Sequence, residues 1–237
     1  MISWTPHANR AVSVFVMTLF VCLCESSAAE VVEGVAAPQL VVGDHWQYRI
    51  TDNLRRGAKS QLDVEVTSVT GRVAQIRLER VDPGGRTEWT AEVDGEGGLR
   101  VGSLFREPPR PFNPPAQLLA FPLEKGKTWT QTIDTLRKDT GIKDQILIYG
   151  RVSGPAAVTV PAGRFDTVYV YRTVQLDDSE FWRTRTRRTD SVWYAPGVKA
   201  PVREKREAKY NQRGRDNPEI RTESTVLELL SFKPGAK

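Results

Sequence analysis

Apolar and polar residues alternate with a period of two through much of this chain. Leu62, Val64 and Val66 alternate with Asp63, Glu65 and Thr67, and Ala74, Ile76 and Leu78 alternate with Gln75, Arg77 and Glu79. Val168, Val170 and Val174 share one parity, while Tyr169 and Tyr171 share the other. Successive side chains of an extended strand point to opposite faces, so the pattern predicts strands with one buried face. Asp82-Pro83-Gly84-Gly85 is expected to turn the chain toward Trp89, Ala91 and Val93, and Asp94 to Gly98 to turn it again into Leu99–Phe105. Further strands are expected at 128–137, 144–152, 157–160, 167–176, 181–195, 199–208 and 221–232, about eleven in all. Five prolines between Glu107 and Pro115 predict a loop, followed by one helical turn over Ala116–Ala120. No long window carries an apolar stripe of helical period. The expected fold is all-β: an antiparallel, partly open β-barrel or sandwich with little helix.

A weak internal repeat suggests further organisation. Leu40, Gly43 and Trp46 recur in the same spacing as Leu123, Gly126 and Trp129, at an offset of 83 residues. Both sets stand at a turn entering a β run. Two related lobes, 39–106 and 116–237, would account for them within a single β domain spanning 39–237.

The first residues depart from the alternating pattern. Residues 11–24 carry no charge, follow Arg10, and lead into Ser26-Ser27-Ala28-Ala29. This order predicts an export signal over 1–29, cleaved after Ala28 or Ala29, with a short linker over 30–38. Fourteen residues span about 21 Å as a helix, too short for a bilayer core of about 30 Å. The protein is therefore expected to be exported, to the periplasm or beyond, with peripheral membrane contact at most.

Cleavage would change the available chemistry. Cys22, Cys24, Met1, Met17 and His7 all leave with the signal, so the remaining chain of about 208 residues has one histidine, His45, and no sulfur. Disulfides, thiolate nucleophiles and cysteine-based zinc sites are then excluded. No metal, cofactor or catalytic set emerges from the spacing of the remaining residues. His45 has no nucleophile placed beside it, and a hydrolase using it with carboxylates is the weakest of the readings considered.

Charge is unevenly spread. Between Trp182 and Arg221 there are twelve Lys/Arg against five Asp/Glu, an excess of seven positive charges, while the whole chain carries +5. If 181–195 is one strand, Arg183, Arg185 and Arg187 share a face, flanked by Phe181 and Trp193, and these arginines with Trp182 and Trp193 are the candidate ligand-binding residues. Such a row could grip phosphate or carboxylate groups, since guanidinium forks pair with them bidentately. The competing explanation is a solvated strand kept charged against edge pairing. Nucleic acid is not an expected partner, because the segment belongs to an exported chain with no recognised nucleic-acid module.

Several turns resemble a family of exported bacterial β-rich proteins of unknown function. The residues concerned are Val160-Pro161-Ala162-Gly163-Arg164-Phe165-Asp166, Trp193-Tyr194-Ala195-Pro196-Gly197-Val198, and Gly126 with Trp129 after Phe121-Pro122-Leu123. The resemblance covers about 121–232, and 40–50 in part. It implies an antiparallel, partly open barrel in the cell envelope and no particular activity. Physically, Pro161 and Gly163 suit a tight turn, which Phe165 could cover while Asp166 bonds local amides. The functional expectation is a non-enzymatic binding protein for an amphipathic or anionic envelope component, a lipid or a glycan. Trp46, Trp89, Trp129, Trp182 and Trp193 are candidates to line its cavity. The alternative is a structural or assembly partner that meets an acidic protein surface.

Overall fold

The alternating segments form twelve strands of one antiparallel sheet. The computed structural model describes Met1 and residues 34–105, 108–136, 143–176 and 181–236. The expected signal beyond Met1 and residues 30–33 of the expected linker lie outside the described residues. The strands are β1 (His45–Asp52), β2 (Ala58–Thr70), β3 (Val73–Asp82), β4 (Gly85–Asp94), β5 (Leu99–Gly102) and β6 (Arg110–Ala116), then β7 (Thr128–Leu136), β8 (Lys143–Val160), β9 (Gly163–Leu176), β10 (Thr186–Ala195), β11 (Ala200–Asn211) and β12 (Glu219–Lys233). Their order in the sheet is β6-β5-β4-β3-β2-β1-β12-β11-β10-β9-β8-β7. Every ladder thus joins strands consecutive in sequence, apart from the β1–β12 ladder, which runs from His45 opposite Lys233 to Asp52 opposite Thr225.

The sheet curls until β6 meets β7, giving a nearly closed barrel. No strand ladder joins these two edges. Side chains bridge them instead: Gln131 on β7 donates to the Pro115 carbonyl at 2.9 Å and accepts from the Gln117 amide at 2.8 Å. The Trp129 indole donates to the Gln117 carbonyl at 2.9 Å.

The proline-rich segment is not a loop throughout, and Ala116–Ala120 forms no helical turn. Pro111, Pro114 and Pro115 lie within β6, whose partner is β5. Proline lacks the amide that a central strand must donate, but an edge strand can spare it. A second departure concerns Ser153-Gly154-Pro155, which separates two expected strands. The chain runs through it as one 18-residue strand, with a register shift between Val152 and Gly154 and a left-handed Gly154. A bulge absorbs the irregularity.

The two Leu-x-x-Gly-x-x-Trp turns are built alike. The Gly43 amide donates to the Val66 carbonyl, the Val66 amide donates to the Asp44 carbonyl, and the Asp44 amide closes the turn on Val41. Gly126, Val152, Lys127 and Glu124 repeat these bonds in the same order. Gly43 and Gly126 have φ values of 85° and 87°, the left-handed region in which a side chain is strained. Each turn leads into the first strand of a six-strand meander.

The interior is filled by three apolar clusters. Trp46, Tyr48, Val66, Val202 and Leu229 anchor one. Leu119, Leu123, Trp129, Val152 and Val170 form the second, and Leu104, Phe112, Ile133, Ile146 and Val174 the third. The 116–127 connection contributes Leu119, Ala120 and Leu123 to this interior rather than skirting the surface. Residues 34–40 pack on the same connection: Val35 exchanges two backbone hydrogen bonds with Leu123, at 3.2 and 2.7 Å.

Candidate binding cavity

The expected arginine row does not form. Strand β10 begins at Thr186, so Arg183 and Arg185 precede it and only Arg187 belongs to the ladder. Arg183 forms an isolated bridge with Gln212, and its guanidinium lies over the rings of Trp182 at 4.9 Å and Tyr210 at 5.5 Å. Arg187 faces outward, exposed. Trp193 also points outward, against Tyr169 and beneath Arg203. The five residues therefore do not share a face. A row of three requires the ladder to run from Arg183, but Arg183 meets Gln212 only through an isolated bridge and residues 184–185 belong to no strand.

What the β alternation brings inward is Arg188, only 2% exposed. It belongs to an ion network that crosses three adjacent strands. Arg188 donates from Nε to Asp190 Oδ1 at 2.9 Å and from Nη2 to Oδ2 at 3.1 Å. Arg172 on β9 donates to Asp190 at 2.7 Å and to Glu204 on β11 at 2.5 Å. Arg206 donates from Nε and Nη2 to the two Glu204 oxygens, at 2.9 and 3.1 Å. Arg172 also reaches the Leu118 carbonyl at 3.2 Å, which ties the network to the inserted connection.

The network sets three guanidinium groups against Asp190 and Glu204, and the charge of Glu223 also acts on Arg206. Burial alone would push the Glu204 carboxyl upward, yet Arg206 and Arg172 overcome it and hold it at about 2. Burial likewise acts against the charged form of Arg206, but Glu204 and Asp190 keep it a firm cation.

Beside the network lies a cavity of about 270 Å³. Leu40, Leu62, Val64, Ile76 and Leu227 supply apolar wall, and Glu204, Arg206 and Lys199 mark its polar parts. Phe121 and Tyr194 border it and meet edge to face at 5.3 Å. Of the described tryptophans, Trp46 alone reaches this cavity. Trp129 fills the space over Gly150, Trp89 and Trp193 pack against the first cluster without lining the cavity, and Trp182 lies outside.

The polar groups at the cavity differ in how fully they are used. Lys199 donates to both oxygens of the buried Asp44, at 3.0 and 2.7 Å. Asp44 also accepts from the amides of Val41 and Gly235. Burial raises its carboxyl, and the Lys199 bond with those two amides brings it below the ordinary range. The Tyr48 hydroxyl donates to the Pro201 carbonyl at 3.0 Å, and burial with nearby Glu204 pushes its titration upward. Arg206 commits Nε and Nη2 to Glu204 and makes no hydrogen bond from Nη1 to any described residue. The Tyr194 hydroxyl, on a residue 2% exposed, has no partner among the described residues either.

The two family-like turns serve the frame of this cavity. Pro196–Val198 forms a 3₁₀ turn that ends at left-handed Lys199. The Trp46 indole donates to Val198 at 2.7 Å while Lys199 reaches Asp44, so the corner is locked onto the first strand. Pro161-Ala162 turns β8 into β9, and the Ala162 amide donates to Leu229. Asp166, expected to bond local amides, is instead exposed on β9 opposite Ala157 and makes no such bond. His45 lies outside, 3.4 Å from Asp63. Among the described residues no group of three His, Cys, Asp or Glu side chains could hold a metal.

No family model matches this sequence, and no curated protein does. The chain has a similar outline to three solved structures. A candidate lipoprotein from Parabacteroides distasonis is 17% identical, with a TM-score of 0.49 over 84% of this chain and 99% of that one. A candidate exported protein with a YmcC-like fold from Bacteroides fragilis is 15% identical, with a TM-score of 0.49 over 85% of this chain and 99% of that one. The hypothetical lipoprotein YmcC of Escherichia coli is 10% identical, with a TM-score of 0.40 over 83% and 87%.

Proposed function

We propose that this protein is an exported, non-enzymatic binding protein of the cell envelope that holds an amphipathic component inside its barrel. The observation that carries this reading is the cavity itself. It is a space with apolar walls and a charged margin, just below the usual size range of small-molecule sites. The pattern of residues 1–29 supplies the compartment, since an export signal places the barrel where lipids and glycans are the abundant amphiphiles. The ion network holds the cavity's charged margin in a fixed geometry, so binding requires little reordering.

Native mass spectrometry of the exported protein tests the reading. Co-purifying amphipathic molecules are expected, and they should vanish when Val64→Trp fills the cavity. A protein that carries nothing and takes up no added amphiphile would refute it.

A second reading, an assembly partner in the envelope, rests on the rim. Phe181 is 89% exposed beside Trp182, over whose ring the Arg183 guanidinium lies. Changing Arg183, Arg185 and Arg187 to Glu should then abolish a protein contact and leave the bound amphiphile unchanged.

A further inference from the structure

We infer that the cavity's ligand is a single-chain carboxylate, with its head held by Tyr194 and Arg206 and its tail among Leu40, Leu62, Val64, Ile76 and Leu227. This assignment rests on the amphiphile-binding reading above and gives it a ligand class.

Two observations point to the head group. The Tyr194 hydroxyl belongs to a residue that borders the cavity and is not sealed from solvent, so a hydrogen-bond partner can reach it there. Tyr194 has none among the described residues, although its neighbour Tyr48 is satisfied by Pro201. Arg206 is similarly incomplete. It faces inward on β11, keeps 31% of its side chain exposed, and leaves the two hydrogens of Nη1 unused. A guanidinium nitrogen only donates, and a tyrosine hydroxyl can donate as well, so the two together ask for a group rich in acceptors. Lys199 does not compete for it, being held by both oxygens of Asp44.

Charge narrows the class. Arg206 is a cation whose bonds to Glu204 leave Nη1 free, so an anionic acceptor at that nitrogen gains a charge-assisted hydrogen bond. A carboxylate makes that bond at full strength, and a neutral alcohol makes only a weaker one. Size narrows it again, since a space of about 270 Å³ suits one hydrocarbon chain rather than the two of a phospholipid.

Displacement of a fluorescent long-chain carboxylate from the exported protein, with dodecanoate, dodecanol and a two-chain phosphatidylglycerol as competitors, tests the assignment. Dodecanoate should bind at least about tenfold more tightly than dodecanol, as a charged hydrogen bond requires, and phosphatidylglycerol should not compete. Arg206→Met should bring dodecanoate down to the level of dodecanol. Tyr194→Phe should weaken dodecanoate several-fold and leave dodecanol unchanged. Tyr194 has no hydrogen bond to lose, so that variant keeps the test valid if Arg206→Met fails to fold. Equal affinity for acid and alcohol, or a Tyr194→Phe protein that binds dodecanoate as the parent does, would overturn the carboxylate assignment and leave amphiphile binding intact. A protein that binds neither the probe nor any competitor would overturn both.

Discussion

Glu204 ties the stability of the barrel to acid. Its carboxyl is held at about 2 in the folded protein, against an ordinary value of 4.5. A depressed carboxylate contributes stability that is present in full above its unfolded value and is lost as pH falls through the folded one. Asp44 is shifted in the same direction. Chemical denaturation followed from pH 6 downward should therefore show a loss that begins near 4.5 and continues toward 2, and a flat profile would remove these two groups as its cause. Removing one partner from a buried ion network leaves uncompensated charge, at about 3–5 kcal/mol. Arg172→Ala strips both Asp190 and Glu204 of a donor, so a loss of that size is expected in urea titrations. The network was within reach of the sequence. Arg172 sits on the parity of Val170 and Val174, and Asp190 on that of Val192 and Tyr194, so charged residues occupied positions that alternation assigns to the interior. What the pattern does not carry is the cross-strand register that sets them side by side.

At the scale of elements, two strands depend on one small residue. Trp129 on β7 lies opposite Gly150 on β8, and a Cβ at Gly150 would come within 2.1 Å of the indole ring. Gly150→Ala should displace Trp129, break its bond to Gln117 and cost about 1–3 kcal/mol by overpacking. Near-ultraviolet circular dichroism and a melting curve would register both effects. Most strands were legible because their alternation is regular. Strand β6 was not, since three of its seven residues are proline and its edge position, which makes them tolerable, is a fact of topology. Strand β10 starts later than its polar, β-compatible sequence suggests, because Thr184 and Arg183 pair instead with Asn211 and Gln212 outside the main ladder.

For the whole molecule, closure is uneven. Eleven interfaces between strands are ladders of backbone hydrogen bonds, and the twelfth, between β6 and β7, relies on Gln131, Trp129 and packing. Gln131→Ala removes two of those bonds at about 1 kcal/mol each. Hydrogen exchange should accelerate in β7 at the seam and stay unchanged in the β1–β12 ladder. Uniform acceleration across the sheet would mean that the seam is not a separate unit of opening.

The β1–β12 ladder has one more consequence. It alone pairs strands far apart in sequence, joining residues near 45 to residues near 233. A circularly permuted chain that links those positions through a short loop and begins at β7 would turn this pairing into a local hairpin. Every strand would then lie beside its immediate successor. Folding rates rise as the average loop between partners shortens, so the rearranged chain should reach the same barrel faster than the natural order does.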